Sequence, residues 1–281
     1  LTARVMVNRV WQYHFGRGLA ANPNNFGSTG SKPTHPALLD WLASEFMAQG
    51  WSIKKLHRLI MNSEAYRRAS THPDAKALAK RDPDRTTHAV FVPRRLSAEE
   101  LRDSMLAVTG ELNRQPGGIP ARPDINLEAA LQPRMIMGTF APSYLPDPKP
   151  AQRNRRSIYA LKLRGHRDPF MTTFNQPAPD KSCELRDSSN VTPQVFTLFN
   201  SEESADRALA FAARILKEGK NDKAVVQRAF RLAFGRVPEA GETRAALSHW
   251  RQATAEQAKR KPKPAVYPRQ VTRQANEENT G

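Results

Sequence analysis

The chain has 281 residues, enough for one large or two modest domains, and 39% of them are apolar, which suffices for a sizeable core. Its apolar stretches are much shorter than the ~20 residues needed to cross a bilayer, so no membrane span is predicted. A formal net charge of +17 predicts attraction to polyanions, either nucleic acid or acidic polysaccharide. A single cysteine, Cys183, excludes an intramolecular disulfide and any multi-cysteine metal site.

Three helices are predicted near the start of the chain. The first ends at Gly16, and its buried face consists of apolar residues at helical spacing, namely Val7, Val10, Trp11 and Phe15. A second helix opens at Pro36 after a Thr34 cap and stops at Gly50. A short third helix is expected from Ile53 through Met61.

Residues 70–93 contain several prolines and little periodicity, so they are predicted to be a surface connection. Order returns at Ser97, which with Glu100 forms a capping box at the start of another helix. The buried face of that helix is predicted to consist of Leu101, Met105, Val108 and Leu112.

The middle of the chain has an irregular pattern. Residues 115–150 are rich in proline and glycine, which argues against long regular elements. Short strands are predicted around Met135 to Phe140 and over Ser157 to Leu163, where apolar and polar residues partly alternate. We expect at most one small sheet from them.

The last folded part is predicted to be helical again. Helices are expected from Thr192 to Phe199, from about Ser204 to Lys217 and from Asp222 to Phe234, with a final amphipathic helix after Pro238. From Lys259 onward too few apolar residues remain to bury, so that segment is expected to be extended or disordered.

These patterns predict a mainly α fold, in which helical N- and C-terminal portions are joined by a long irregular Pro/Gly-rich middle with a minor β element. The predicted ranges are 1–113 for the helical N-terminal portion, 114–190 for the irregular middle with short strands, 191–258 for the helical C-terminal portion and 259–281 for a basic, disordered tail.

Basic residues crowd one stretch after the irregular middle. They are the candidate anion-binding residues of the chain: Arg153, Arg155, Arg156, Lys162 and Arg164. A solvated surface face is the simpler interpretation of such a run, and the sequence leaves both interpretations open.

Three histidines in the N-terminal part, His14, His35 and His57, can converge into a polar cluster that would permit a metal or acid/base site. Histidines hydrogen-bonded at helix ends are the alternative interpretation. The chain has no HxxxH or HExxH spacing and no CxxCH haem attachment, so neither a metal site nor a cofactor is predicted within it. Phosphate-binding glycine motifs and a nucleophile elbow are also missing.

Several motifs in a fixed order connect this chain to a known family. They are NRVWQYHFGRGL at 8–19, THPALLDWLASEF at 34–46, GWSIKKLHRLIMNSEAYRR at 50–68, RRLSAEELRDSMLAVTGEL at 94–112 and AFRLAFGRVPEAGE at 229–242. With them the sequence resembles the planctomycete-associated domain of unknown function numbered 1553, over nearly the whole chain to about residue 250.

This resemblance implies a domain near the C-terminal end of large bacterial proteins that are commonly exported to the periplasm or cell surface. Such proteins often have a cytochrome c-like domain upstream, so haem is expected in an upstream domain and the partners are upstream domains of the same polypeptide. Because Leu1 falls inside an apparent helix, we expect the chain to be a piece of such a protein. The resemblance supplies no accepted catalytic residues.

Three functions remain open at this point. The first is a structural or ligand-binding module of an exported multidomain protein, which binds anionic polysaccharide or packs beside a haem domain. The second is an enzyme acting on an anionic carbohydrate, with His14, His35 or His57 and a nearby carboxylate in its site. The third is nucleic-acid binding, which the charge of +17 favours but which the missing recognition motifs and the exported setting disfavour.

Overall fold

The computed structural model describes residues 1–130, 134–136, 139–141, 144–164, 167–180 and 182–260. These residues form a mainly helical protein, as the sequence predicts. The helices are α1 (Thr2–Phe15), α2 (Pro36–Ala48), α3 (Ile53–Met61), α4 (Glu64–Arg67), α5 (Ala75–Arg81), α6 (Ala98–Thr109), α7 (Leu127–Ala130), α8 (Pro150–Arg153), α9 (Pro169–Thr173), α10 (Thr192–Asn200), α11 (Glu202–Glu218), α12 (Asp222–Phe234) and α13 (Ala240–Arg260), with a 3-10 helix at Ser157–Tyr159. Within the described ranges no helix combines the length and apolarity that crossing a bilayer requires.

Two compact units make up the chain. The first unit comprises Leu1–Arg95 and the short segment Cys183–Leu185. The second unit comprises Leu96–Ser182 and the described residues from Arg186 onward. The boundary after Arg95 lies inside the range 1–113 that the sequence analysis treats as one helical portion.

The core of the first unit lies between α1 and α2, with α3 packed against both helices. Val7 and Trp11 of α1, Leu39 of α2 and Leu56 of α3 are all buried in it. Apolar residues at helical spacing therefore form the inner face of each helix, as the sequence pattern predicts for α1 and α2.

The turn that follows α1 is fixed by one buried amide. Asn8 donates from Nδ2 to the Ala20 carbonyl and accepts at Oδ1 from the Ala20 N–H, both at 2.9 Å. Gly18 passes so close to this side chain that an added Cβ would lie 2.7 Å from the Asn8 amide nitrogen. The glycine and the asparagine of the opening motif are thus parts of one packing arrangement.

In the second unit, α6 contacts α9, α11 and the 3-10 helix. The predicted capping box at its start is confirmed, because Ser97 N–H donates to the Glu100 carboxylate at 2.9 Å while Ser97 Oγ accepts from Glu100 N–H at 3.3 Å. Ala98 of this helix forms a buried cluster with Phe170, Met171 and Phe174. The four last helices, α10 to α13, pack each against the next along the chain.

The segment 70–93 is more regular than predicted. Helix α5 forms within it, because the Asp74 carboxylate caps the helix by accepting from the Ala77 N–H at 2.9 Å. Farther along, the buried Asp82 carboxylate accepts hydrogen bonds from the backbone and hydroxyl groups of Thr86 and Thr87. The segment therefore has internal structure of its own.

The strand predicted over Ser157 to Leu163 is wrong. Its first three residues form the 3-10 helix, because the Asp103 carboxylate accepts from both the backbone N–H and the hydroxyl of Ser157, at 2.8 and 2.7 Å. An isolated bridge between Ala121 and Ala160 follows it. A polar contact from α6 thus overrides the local alternation of apolar and polar residues.

Two three-residue strands, β1 (Arg134–Ile136) and β2 (Thr139–Ala141), pair antiparallel in the middle of the chain. In the described ranges they are the only strands longer than a single bridge. Met137, part of the strand predicted there, lies outside the described residues. So do residues 261–281 of the predicted tail, while its first two residues, Lys259 and Arg260, belong to α13.

Candidate functional site

A cavity of about 80 Å³ lies beside α6 and α11 in the second unit. Its lining is strongly charged, with five carboxyl and three guanidinium groups, those of Glu111, Asp124, Asp168, Glu203, Asp206, Arg102, Arg153 and Arg207. Apolar side chains complete the wall, among them Met105, Leu106 and Phe170. Small-molecule sites usually have this form, a concave surface with apolar walls and a few converging polar groups.

Arg102 extends from α6 into the interior of the second unit. Its Nη2 donates to the Arg153 carbonyl at 2.9 Å, and its Nη1 donates to the Arg155 carbonyl at 2.9 Å and to Ser157 Oγ at 3.2 Å. Burial lowers the pKa of Arg102, but a guanidinium group keeps its charge in proteins. The fold therefore holds the positive charge of Arg102 in a fixed position at the cavity.

Two of the carboxyl groups close to this charge come from the starts of helices. Asp168 caps α9, where its Oδ1 accepts from the Phe170 N–H at 2.9 Å. Glu203 lies in the first turn of α11, behind the Ser201 cap. Both positions favour an acidic residue for a purely local reason, because a helix N-terminus attracts negative charge.

The two carboxyl groups bind protons more tightly than usual. Burial, assisted by the negative charge of Asp168 and opposed by Arg102 and Arg207, raises the pKa of Glu203 to about 8. Burial also raises the pKa of Asp168, against the stabilising hydrogen bond from the Phe170 N–H. At neutral pH this carboxyl pair therefore retains a proton.

With that proton, the cavity presents hydrogen-bond donors and acceptors side by side. The protonated carboxyl and the guanidinium groups donate, and the ionised carboxylates accept. With one proton retained, four ionised carboxylates face three guanidinium groups in the lining, so the net charge of the cavity opposes an anionic ligand. The arrangement suits an uncharged ligand with hydroxyl groups, because each hydroxyl both donates and accepts.

The predicted anion-binding residues are divided among different roles. Arg153 is buried and donates to the carbonyls of Asp147 and Pro148, at 3.0 and 2.7 Å, while it also lines the cavity. Arg155 donates to the Ile119 carbonyl at 2.7 Å. Both guanidinium groups are thus bound to the backbone of their own unit, and Arg153 is buried while Arg155 is partly exposed.

The other three members of the predicted basic stretch are exposed. Arg156 lies 3.8 Å from the Asp103 carboxylate, and Lys162 lies 3.5 Å from the Glu99 carboxylate. Arg164 is exposed as well. Arg156, Lys162 and Arg164 are therefore the members of the stretch whose side chains are exposed.

In the first unit, the structure brings two of the three predicted histidines together. His14 Nε2 and His57 Nδ1 are 2.7 Å apart and share a hydrogen bond. His35 does not join them; its Nδ1 is 3.0 Å from Thr34 Oγ1, and its ring centroid is 5.7 Å from that of His88. The three predicted residues therefore belong to two separate histidine pairs.

His88, the partner of His35 in the second pair, was not predicted from the sequence, because it lies in the segment 70–93 that was interpreted as a surface connection. Its ring packs edge-on against Trp11 and Phe15, with centroids 5.2 and 4.9 Å apart. Its φ of 53° is in the left-handed region, which non-glycine residues rarely adopt. The aromatic packing on α1 supports this conformation.

One histidine of each pair, His14 in the first and His88 in the second, has a lowered pKa. Burial lowers the pKa of His14, and the positive charges of His57 and Arg94 lower it further. Burial likewise lowers the pKa of His88, and the neighbouring His35 adds to the shift. Across the part of the chain that the structure describes, no three histidine, cysteine or carboxylate side chains are grouped to hold a metal ion.

Comparison with known proteins gives one match. The model of the PSD1 family, described as a protein of unknown function (DUF1553), matches residues 1–250. No curated protein and no solved structure matches the chain. The family match agrees with the resemblance drawn from the motifs, and it assigns no role to the cavity of the second unit.

Proposed function

The chain belongs to the PSD1 family of proteins of unknown function (DUF1553), and from that premise we propose that it is a ligand-binding module. Its ligand is a small hydroxylated molecule, an uncharged sugar unit, bound in the cavity of the second unit. The observation that carries this proposal is the lining of that cavity, which combines the carboxyl groups of Asp168 and Glu203 with the guanidinium groups of Arg102 and Arg207. The raised pKa values of the two carboxyl groups support it.

Hydrogen-bond matching supports a sugar over other small ligands. A sugar hydroxyl can accept from Arg207 or from the protonated Glu203, and donate to a side-chain oxygen of Asp206. The apolar wall of Met105 and Phe170 offers a surface for the carbon skeleton of the ring. A carboxylate or sulfate ligand lacks hydroxyl donors and meets the excess of carboxyl groups.

The cellular setting belongs to the same proposal. The motif resemblance supports an exported multidomain protein of planctomycete type, with upstream domains of the same polypeptide as partners and haem in one of them. An anionic polysaccharide would then be bound by the exposed Arg156, Lys162 and Arg164, a role that the net charge of +17 supports. Nucleic-acid binding has only that net charge in its favour.

An enzyme that acts on a carbohydrate is the second candidate. It is favoured by one observation, the Glu203 pKa of about 8, because general acids and bases work best when their pKa lies near the working pH. Glu203 would act as the general acid, and Asp168 would keep it protonated. In this case, too, the cavity is the site, and the histidines of the first unit have no part in the reaction.

Calorimetric titration with neutral mono- and oligosaccharides tests the proposal. Binding at about pH 6 should weaken by roughly tenfold at about pH 9.5, because ionised Glu203 has lost the proton that it donates to the ligand. Glu203→Gln should bind at both pH values, since its amide donates throughout, and Glu203→Ala should bind at neither. Glu202→Gln, in the same turn of α11, is the matched control.

Three results would decide between the candidates. Sugar binding that is unchanged in Glu203→Ala would contradict the assignment of the cavity. The release of new reducing ends by the wild-type chain, lost in Glu203→Gln, would establish the enzyme in place of the binding module. If no neutral sugar binds while an acidic polysaccharide does, the exposed basic residues would be the site.

A further inference from the structure

Helix α10 has the reverse of the usual burial pattern, because it buries a polar side chain and exposes its apolar ones. Its one buried side chain is polar, Gln194, which is 1% exposed. Its largest apolar side chains face the solvent, with Phe196 61% and Phe199 81% exposed. Val195 and Leu198 are exposed beside them. Globular proteins rarely display a contiguous apolar helix face unless something binds to it.

Polar anchors fix this orientation. Gln194 Nε2 donates to the Thr173 carbonyl at 3.0 Å and to Ser189 Oγ at 3.2 Å. Ser204 Oγ of α11 also donates to the Thr197 carbonyl at 3.3 Å. Turning α10 to bury its apolar face would break these bonds and leave the Gln194 amide unsatisfied or exposed, so the apolar face stays outside.

The chemistry of this face identifies a limited class of partner. The nine residues of α10 include no charged side chain, in a chain that has 44 lysines and arginines. A lipid surface is disfavoured, because an interfacial helix keeps a charged face towards water, whereas the polar face of α10 packs on its own unit. An uncharged apolar protein surface remains, and another α10 is such a surface.

The exposed area is sufficient for a self-contact. Phenylalanine side chains bury about 150–250 Å² each when fully covered, so Phe196 and Phe199 together expose about 300 Å². The exposed parts of Val191, Val195 and Leu198 bring the face to about 500 Å² per copy, which corresponds to about 1,000 Å² for two copies. That area is near the lower limit for a specific interface, as expected of a weak dimer.

We propose that α10 forms an isologous contact between two copies of this chain, with Phe196 and Phe199 of each copy packed against α10 of the other. Such a contact needs no charge complementarity, because the same apolar patch serves on both sides of the twofold axis. The charge of +17 on each copy opposes association, so added salt should strengthen the dimer by screening this repulsion.

Sedimentation equilibrium of the full 281-residue chain tests this proposal. We expect a monomer at about 5 µM and mostly dimer at about 200 µM, with tighter association when NaCl is raised from about 0.15 M to about 0.5 M. Phe196→Ser combined with Phe199→Ser should be monomeric throughout. Its circular dichroism and thermal midpoint should match wild type, because both side chains are exposed.

Two further variants sharpen the test. Phe199→Arg places like charges at the contact and should also abolish the dimer. Ile119→Ser, which removes an apolar side chain that is 86% exposed outside α10, should leave the dimer intact. A wild-type chain that is monomeric at about 200 µM in both salt conditions would overturn the proposal. So would a dimer that survives both phenylalanine changes, or a monomer that binds phosphatidylcholine vesicles through α10.

Discussion

Replacing Arg102 by methionine is expected to lower the free energy of unfolding of the second unit by about 3–5 kcal/mol. The substitution keeps much of the side-chain volume but removes the donors for the carbonyls of Arg153 and Arg155. It also removes the positive charge near the Asp168 and Glu203 carboxyl groups. Buried carbonyls without donors and an uncompensated carboxyl pair together cause the loss.

Denaturant unfolding, followed by hydrogen exchange to assign the change to one unit, measures this loss. The matched control is Arg114→Met, which removes an exposed arginine of the same unit and should change stability by no more than about 0.5 kcal/mol. Equal stabilities of the two variants would show that the Arg102 hydrogen bonds do not hold the second unit together. Loss of protection in the first unit would contradict the division into units.

Opposite pH dependences are expected for the two units. In the first, the pKa values of His14 and His88 lie below the usual 6.5, so the unfolded chain binds more protons there. This contribution to stability is present above pH 6.5 and is lost as the pH falls through the lowered values. Acidification therefore destabilises the first unit.

In the second unit the sign reverses. The pKa of Glu203 rises from 4.5 to about 8, so the folded state binds more protons between these values. Its contribution to stability is greatest at the acidic end of this range and is lost as the pH rises towards 8. The pKa of Glu99 is lowered to about 2, because hydrogen bonds from Arg186 and Gln176 outweigh its burial, so strong acid destabilises this unit as well. The second unit is therefore expected to be most stable at mildly acidic pH.

Hydrogen exchange at about pH 5.5 and about pH 8.5, corrected for intrinsic exchange rates, measures both trends in one molecule. Protection of α1 and α2 should increase with pH, while protection of α6 and α11 should decrease. Glu203→Gln should abolish the decrease in protection of the second unit. It should leave the pH dependence of the first unit unchanged, because the histidines of that unit remain. Parallel changes in the two units would contradict the assigned pKa directions.

Sequence patterns predicted those elements of the fold that are determined by interactions between residues close together in the chain. The first helices follow from apolar spacing, and the capping box follows from Ser97 and Glu100 alone. The failed strand depended on Asp103, which binds Ser157 from 54 positions away in the sequence. No pattern within the segment itself contains that contact.

The cavity could not be predicted from the sequence for a similar reason. Arg102, Asp124, Asp168 and Glu203 come from separate segments, and each has an ordinary local interpretation, such as a helix cap or a first-turn acid. Only their shared burial changes their pKa values. Likewise, the apolar residues of α10 predict a helix, but the buried Gln194 determines which face is outside.

The carbon-13 chemical shift of the Glu203 side-chain carboxyl, followed over pH, tests the central claim most directly. We expect an inflection near pH 8, which is assigned by its absence in Glu203→Gln and which shifts when a neutral sugar occupies the cavity. An inflection near the ordinary value of 4.5 would mean that Glu203 retains no proton at neutral pH. The cavity would then lack the donor on which the proposed function depends.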